Sequence, residues 1–228
     1  HTFKVWTTNP NGQPNNFTLN SSVTKTVVNN STPAMAPLVE GFQSATFVPS
    51  GWALSNADNG PTWTRVTNAG GFGLSTASAK MDFYNSANGN VDELYAKALN
   101  MSSLSSGTLT FSVAYRQYSN ENDRLEVKVS TDCGVTWATV YNKAGTTLTT
   151  VTPGTTTAFT PTATQWRAET VNMNTYAGQS NVLVKFTATS NYGNNLFIDD
   201  ININGLTSVT EFENNMAVSV YPNPVIGN

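Results

Sequence analysis

LFIDDINI, from Leu196 to Ile203, is an apolar run broken by two adjacent carboxylates, Asp199 and Asp200. Leu196, Phe197, Ile198, Ile201 and Ile203 suffice for a strand with at least one buried face, and side chains along a strand alternate between faces. The two aspartates therefore do not both reach solvent if one face is core. A carboxylate held against a core is costly unless it is paired or coordinated to a cation, and lysine and arginine together number only 11 in the chain. Two readings follow from the residues alone. Either a hard cation, calcium above all, sits against the pair, or one aspartate caps a turn while the other pairs with a basic side chain.

The composition around this stretch is that of strands and turns. Charged residues make up 11% of the 228 residues, against about 25% in ordinary soluble domains. Thr, Ser, Asn and Gly take their place, suiting pleated sheet and the tight turns between strands. The length fits one large all-β domain with short appendages. A net charge of −3 and a pI near 5.0 argue against nucleic acid, which requires a clustered basic face. The single cysteine, Cys133, excludes an internal disulfide. No apolar run approaches the roughly 20 residues that span a bilayer. The opening HTFKVW starts mid-strand without a signal peptide, so the chain reads as a fragment of a longer precursor.

Working outward, TLTFSVAYRQY places Leu109, Phe111, Val113 and Tyr115 on one face, and RLEVKVS places Leu125, Val127 and Val129 on one face. If these two strands pair, Arg116, Glu126 and Lys128 share an exposed face. WATVYNKAG, QWRAETVNM and SNVLVKFTATS add three strands, and TDCG is a turn. Thr146 to Thr164 is a Thr-rich loop broken by Pro and Gly. Short strands at this spacing predict a two-sheet sandwich. Two loops are rich in oxygen ligands: SNADNG between Trp52 and Trp63, and the segment carrying Asp82, Asn88, Asn90 and Asp92, where Asp82 and Asp92 read as ordinary loop residues. Trp52, Trp63, Trp137 and Trp166 are read as core, and Tyr115, Tyr118, Tyr192 and Arg116 as a solvated face.

Several segments together carry a family resemblance. EGF at Glu40, GW at Gly51, the tryptophan-bracketed polar loop, DRLEVKVSTDCGVTW and NYGNNLFIDDININ resemble the jelly-roll modules of Bacteroidetes surface and secreted proteins. These are the cleaved-adhesin domains of gingipain-type proteases and the modules that follow cytophagalysin-like metalloproteases, distantly similar to MAM domains. The resemblance implies a galactose-binding-like jelly-roll β-sandwich with structural calcium. Matching by motif makes Glu40, Asp199 and Asp200 its ligands. Asp58 matches the acidic loop before the second tryptophan, although NADNG supplies fewer aspartates than related modules carry.

The ends have resemblances of their own. HTFKVWTTNPNG resembles the last strands of immunoglobulin-like modules of large secreted bacterial proteins, and MAVSVYPNPVIGN resembles the opening of a type IX secretion sorting domain. The expected organisation is thus 1–33 as the tail of an immunoglobulin-like module, 34–206 as the jelly roll, and 207–228 as linker and truncated sorting domain. GxSxG, HExxH and a phosphate loop are absent, and the only histidine is His1. No catalytic residue is assigned. The expected function is a calcium-binding adhesion or substrate-targeting module of a larger secreted or cell-surface protein, plausibly a metalloprotease. The alternative is a carbohydrate-binding module. Expected partners are an extracellular protein or glycan surface and the type IX secretion machinery, without nucleic acid or a membrane span, and the module is expected to be a monomer.

Overall fold

The computed structural model describes residues 32–207, together with the strands β1 (Thr2–Trp6) and β2 (Ser22–Thr26). These two pair antiparallel, Thr2 opposite Thr26, as the sequence predicts. The sorting-domain resemblance at VYPNP lies outside the described residues.

The remaining strands run in order as β3 (Ala34–Met35), β4 (Leu38–Glu40), β5 (Ala53–Asn56), β6 (Trp63–Val66), β7 (Ser78–Met81), β8 (Val91–Tyr95), β9 (Leu99–Asn100), β10 (Thr108–Tyr115), β11 (Arg124–Ser130), β12 (Ala138–Ala144), β13 (Arg167–Asn172), β14 (Leu183–Thr189) and β15 (Leu196–Asn204). One sheet has the order β13-β10-β15-β7-β6, with β4 also on β15. The other has the order β12-β11-β14-β8-β5. All pairings in both sheets are antiparallel. The result is an all-β jelly-roll sandwich.

The core follows from the alternation read in the sequence. Leu109, Phe111, Val113 and Tyr115 of β10 and Leu125, Val127 and Val129 of β11 are buried in one apolar cluster with Val184 and Phe186 of β14. Phe111 bridges the sheets edge-on, 5.2 Å from the Tyr141 ring and 5.4 Å from that of Phe186. A smaller cluster lies on the other face of the first sheet, where Phe197 and Ala114 meet Phe159 and Trp166. The Thr-rich segment covers it. That segment carries a one-turn helix, α1 (Gly145–Leu148), and two arginines tie it down through its carbonyls: Arg116 Nε donates to Pro153 O at 2.8 Å, and Arg167 Nη1 to Thr149 O at 2.7 Å.

Arg116 therefore does not share a face with Glu126 and Lys128. Strands β10 and β11 belong to different sheets, and residues 116–123 cross between them. Tyr115 is not on a solvated face either, being wholly buried with its hydroxyl donating to Asp123 at 2.9 Å.

Candidate functional site

Strand β15 changes neighbours part-way along. Leu196 to Ile198 pair with β7, and Ile201 to Ile203 pair with β4. Asp199 and Asp200 fall in the gap between these two partners. On the opposite side the register slips: Ser112 of β10 faces Asp199 while Thr110 faces Asn202, so β15 holds one extra residue in a β-bulge. Asp200 adopts φ 50° there. The bulge shifts the alternation by one, which lets both Ile198 and Ile201 face the main core although they are three residues apart.

The two carboxylates are thereby separated in environment. Asp199 is wholly buried, and its Oδ2 accepts from Gly71 N at 2.7 Å and Ser75 Oγ at 2.5 Å. Its Oδ1 is buried without a donor. Burial pushes this carboxyl above its ordinary range, with the Ser75 and Gly71 donors pulling against it. Asp200 is exposed, and its Oδ2 accepts from Ser112 Oγ at 2.8 Å. A Cβ on Gly71 would lie 2.0 Å from Asp200 Oδ2 and would displace that carboxylate. Glu40 lies on β4 opposite Ile201, and its Oε1 turns back to accept from Phe42 N at 2.6 Å.

Asp58 belongs to a different neighbourhood. Its Oδ1 accepts from Gly60 N at 3.2 Å and its Oδ2 from the Asn90 amide. Beside it stands Asp92, the residue that sequence reading left as an ordinary loop aspartate. It is instead an inward-facing strand residue of β8, wholly buried, directly across from Asn56 of β5. The correction has a simple cause: in VDELYA the parity of Leu94 and Ala96 is the core parity, and Asp92 shares it. Asp92 Oδ1, Asp92 Oδ2, Asn56 Oδ1 and Thr62 Oγ1 are all buried, and the Thr62 hydroxyl is the donor beside the Asp92 carboxyl. Burial raises the Asp92 carboxyl to about 6, the Thr62 hydroxyl lowers it, and the Asp58 charge raises it again.

This carboxyl sets an expected pH dependence for the cation-free protein. Its folded pKa of about 6 lies above the ordinary 3.8, so the folded state retains a proton that the unfolded chain releases. The resulting stability is fully present below about pH 4 and is lost as pH rises towards 6, by at most about 1.4 kcal/mol per pH unit. Thermal midpoints measured in chelator from pH 4 to 7 will fall with pH in the wild type relative to Asp92→Asn. Parallel curves for the two proteins would show that Asp92 does not carry the effect.

Asp58 lies in a different neighbourhood from Asp199 and Asp200. Asp58 keeps company with Asp92, and Asp199 with Asp200. Among the described residues no three His, Cys, Asp or Glu side chains converge at metal-binding distance. Each neighbourhood offers two carboxylates supplemented by amide, hydroxyl and backbone oxygens, a donor set that suits calcium over thiolate- and imidazole-seeking metals.

No family model matches the sequence, and no curated protein matches it. Among solved structures, the K1 cleaved adhesin domain of Lys-gingipain from Porphyromonas gingivalis W83 superposes with a TM-score of 0.53 at 16% identity, covering 75% of this chain and 98% of that domain. The K3 cleaved adhesin domain superposes with a TM-score of 0.53 at 21% identity, covering 74% and 98%. The likeness is one of fold.

The aromatic residues divide as the sandwich dictates. Trp52, Trp63 and Trp166 are buried, as read from the sequence. Trp137 is half-buried on the outer side of the second sheet, and its ring is already occupied: Lys185 Nζ lies 4.2 Å from the ring centroid, and Gly134 packs so closely that a Cβ there would meet Trp137 Cζ2 at 3.3 Å. Lys185 also pairs with Glu93 at 2.6 Å. Burial alone would raise the Glu93 carboxyl, but donation from Lys185 and Tyr95 holds it below its ordinary value. Apart from Phe72, the exposed aromatics, Tyr84 and Tyr192, stand at one end of the sandwich with half-buried Tyr118. No helix among the described residues is long and apolar enough to cross a membrane.

Proposed function

We propose that this chain is a non-catalytic adhesion or binding module stabilised by calcium. The observation that carries the reading is the buried Asp92 carboxylate with the Asn56 amide oxygen beside it, where the Thr62 hydroxyl is the donor at hand and the Asp58 charge stands alongside. Burying such atoms unpaired is costly, and a hard cation answers all of them at once. Asp92, Asn56, Thr62 and Asp58 would hold one ion. Asp199, through its donor-free Oδ1, would hold a second with Asp200, and Glu40 stands on the neighbouring strand. Backbone carbonyls and water would complete both shells.

The setting we infer is a larger secreted or cell-surface protein of Bacteroidetes type, with a metalloprotease as the candidate catalytic domain elsewhere in it, 1–33 from an immunoglobulin-like module and the VYPNP segment addressed to the type IX secretion machinery. The fold likeness to gingipain adhesin domains and the sequence resemblances at both ends support that setting. The test is thermal unfolding of the full chain with calcium and after chelation, on wild type, Asp92→Ala and Asp199→Ala. A midpoint indifferent to calcium would overturn the metal reading, whereas loss of the response in one variant assigns the ion to that neighbourhood.

A further inference from the structure

One end of the sandwich gathers features that neither metal neighbourhood uses. Here the segments after β7, β10 and β14 meet the Thr-rich loop. The rings of Tyr84 and Tyr118 stand edge to face, 6.1 Å apart, with Tyr84 40% exposed and Tyr118 half-buried. Tyr118 is bridged to Thr155, and the two segments are laced by Thr155 N to Gln117 O at 2.9 Å and Ser119 N to Thr155 O at 3.3 Å. Beside this lacing lies a shallow, open depression of about 440 Å³ lined by Ser119, Gly154, Thr155 and Thr156.

The chemistry of the lining is narrow. It presents hydroxyls and backbone polar groups and no ionisable side chain. Arg116, close by in sequence, is engaged with the carbonyls of Pro153 and Gly154. An anionic ligand finds no counter-charge among these residues, and an apolar one leaves the Ser119 and Thr156 hydroxyls unpaired, while Thr155 Oγ1 already lies 3.0 Å from Thr157 Oγ1. A neutral polyol matches both parts, its hydroxyls bonding to the Ser and Thr groups and its C–H faces lying on tyrosine rings, which are apolar on their faces and polar at one tip.

The surface is also held rigid. Ser119 and Tyr192 have φ of 48° and 60°, a region non-glycine residues rarely occupy. Tyr192, 63% exposed, projects from a loop fixed by buried Asp123, which accepts the backbone N–H groups of Asn191, Gly193 and Asn194. Holding an exposed aromatic in a strained conformation reduces the entropy lost when a ligand binds.

We propose that the Tyr84–Tyr118 pair and the adjoining depression at Ser119, Thr155 and Thr156 form a binding site for a neutral oligosaccharide. The proposal rests on the reading of the chain as a binding module and names the ligand class of that module. It is tested by calorimetric titration of the full chain with neutral β-linked gluco-, xylo-, manno- and galacto-hexasaccharides. At least one is expected to bind. Tyr118→Ala is expected to weaken it at least about tenfold, as loss of an interfacial aromatic anchor does, while Tyr118→Phe retains most of the affinity. Thr156→Trp, an exposed change that fills the depression, supplies a variant whose loss of binding does not depend on the tyrosine. Binding by none of the four sugars overturns the proposal, as does binding that survives both Tyr118→Ala and Thr156→Trp. The calcium response of the same samples reads the module proposal independently, so the two fail separately.

Discussion

Chelating calcium from the full chain will lower its thermal midpoint by roughly 5–10 °C, and Asp92→Ala will remove most of that response. An ion that binds only the folded state at a hundred times its dissociation constant stabilises by about 2.7 kcal/mol. For a domain of this size each kcal/mol corresponds to roughly 2–4 °C. The variant separates metal coordination from packing because its effect changes sign with the ion. In calcium, removing Asp92 deletes a ligand and destabilises. In chelator it deletes a wholly buried carboxylate for which the cost of burial outweighs the Thr62 donor, so the variant is expected to equal or exceed the wild type near neutral pH, where that group is charged at the cost of burial. Asp199→Ala gives a different signature. Asp199 already accepts from Gly71 and Ser75, so its loss orphans those donors and destabilises with or without calcium. Differential scanning of the three proteins in both conditions distinguishes these outcomes. Identical wild-type curves with and without calcium would remove the ion from the account and leave the sandwich standing.

Much of this arrangement was legible in the sequence, and what was not has identifiable causes. The period-two patterns of TLTFSVAY and RLEVKVS placed the core faces of β10 and β11 correctly, because burial on one face imposes that period. LFIDDINI yielded its strand and the unequal environments of its aspartates. It did not yield the bulge, because an added residue is visible only against the partner strand. Asp92 went unrecognised because the turn signals of NSANGN outweighed the parity it shares with Leu94. Pairing Arg116 with Glu126 and Lys128 failed for a topological reason: consecutive strands in a sandwich often cross to the other sheet, and a local pattern does not say when. The motif match named Asp58 apart from Glu40, Asp199 and Asp200, but it did not name Asp92, because only the fold brings Asp58 to Asp92.

Asp123 is the residue whose loss is expected to cost the most among the carboxylates outside the metal neighbourhoods. It is wholly buried and each oxygen takes two donors: Oδ1 accepts from Asn191 N at 2.7 Å and Gly193 N at 3.1 Å, and Oδ2 from Asn194 N at 2.8 Å and Tyr115 Oη at 2.9 Å. Burial pushes the carboxyl upward while these donors pull it back. The fit is close enough to dictate a glycine, since a Cβ on Gly193 would lie 1.6 Å from Oδ2. Asp123→Ala leaves three backbone N–H groups and a phenol facing a void. At roughly 1–3 kcal/mol for each donor left unsatisfied, partly recovered by entering water, the expected cost is about 4 kcal/mol, or roughly 8–16 °C in midpoint. Tyr115→Phe removes one donor and keeps the packing, so its cost should be about 1.5–3 kcal/mol, the range for a hydrogen bond to a charged group. Hydrogen exchange locates the damage. The amides of Asn191, Gly193 and Asn194 should lose protection in Asp123→Ala well beyond the global change, whereas the β11 and β14 amides should follow global stability alone. A variant within 1 kcal/mol of wild type by this roughly additive reckoning, or a uniform loss of protection, would mean that the loop holds its shape without the carboxylate. The observed geometry argues the opposite, because Tyr192 at φ 60° has its two flanking amides, those of Asn191 and Gly193, fixed to one oxygen of Asp123. That carboxylate is therefore the group that converts a strained turn into a rigid, outward-facing aromatic.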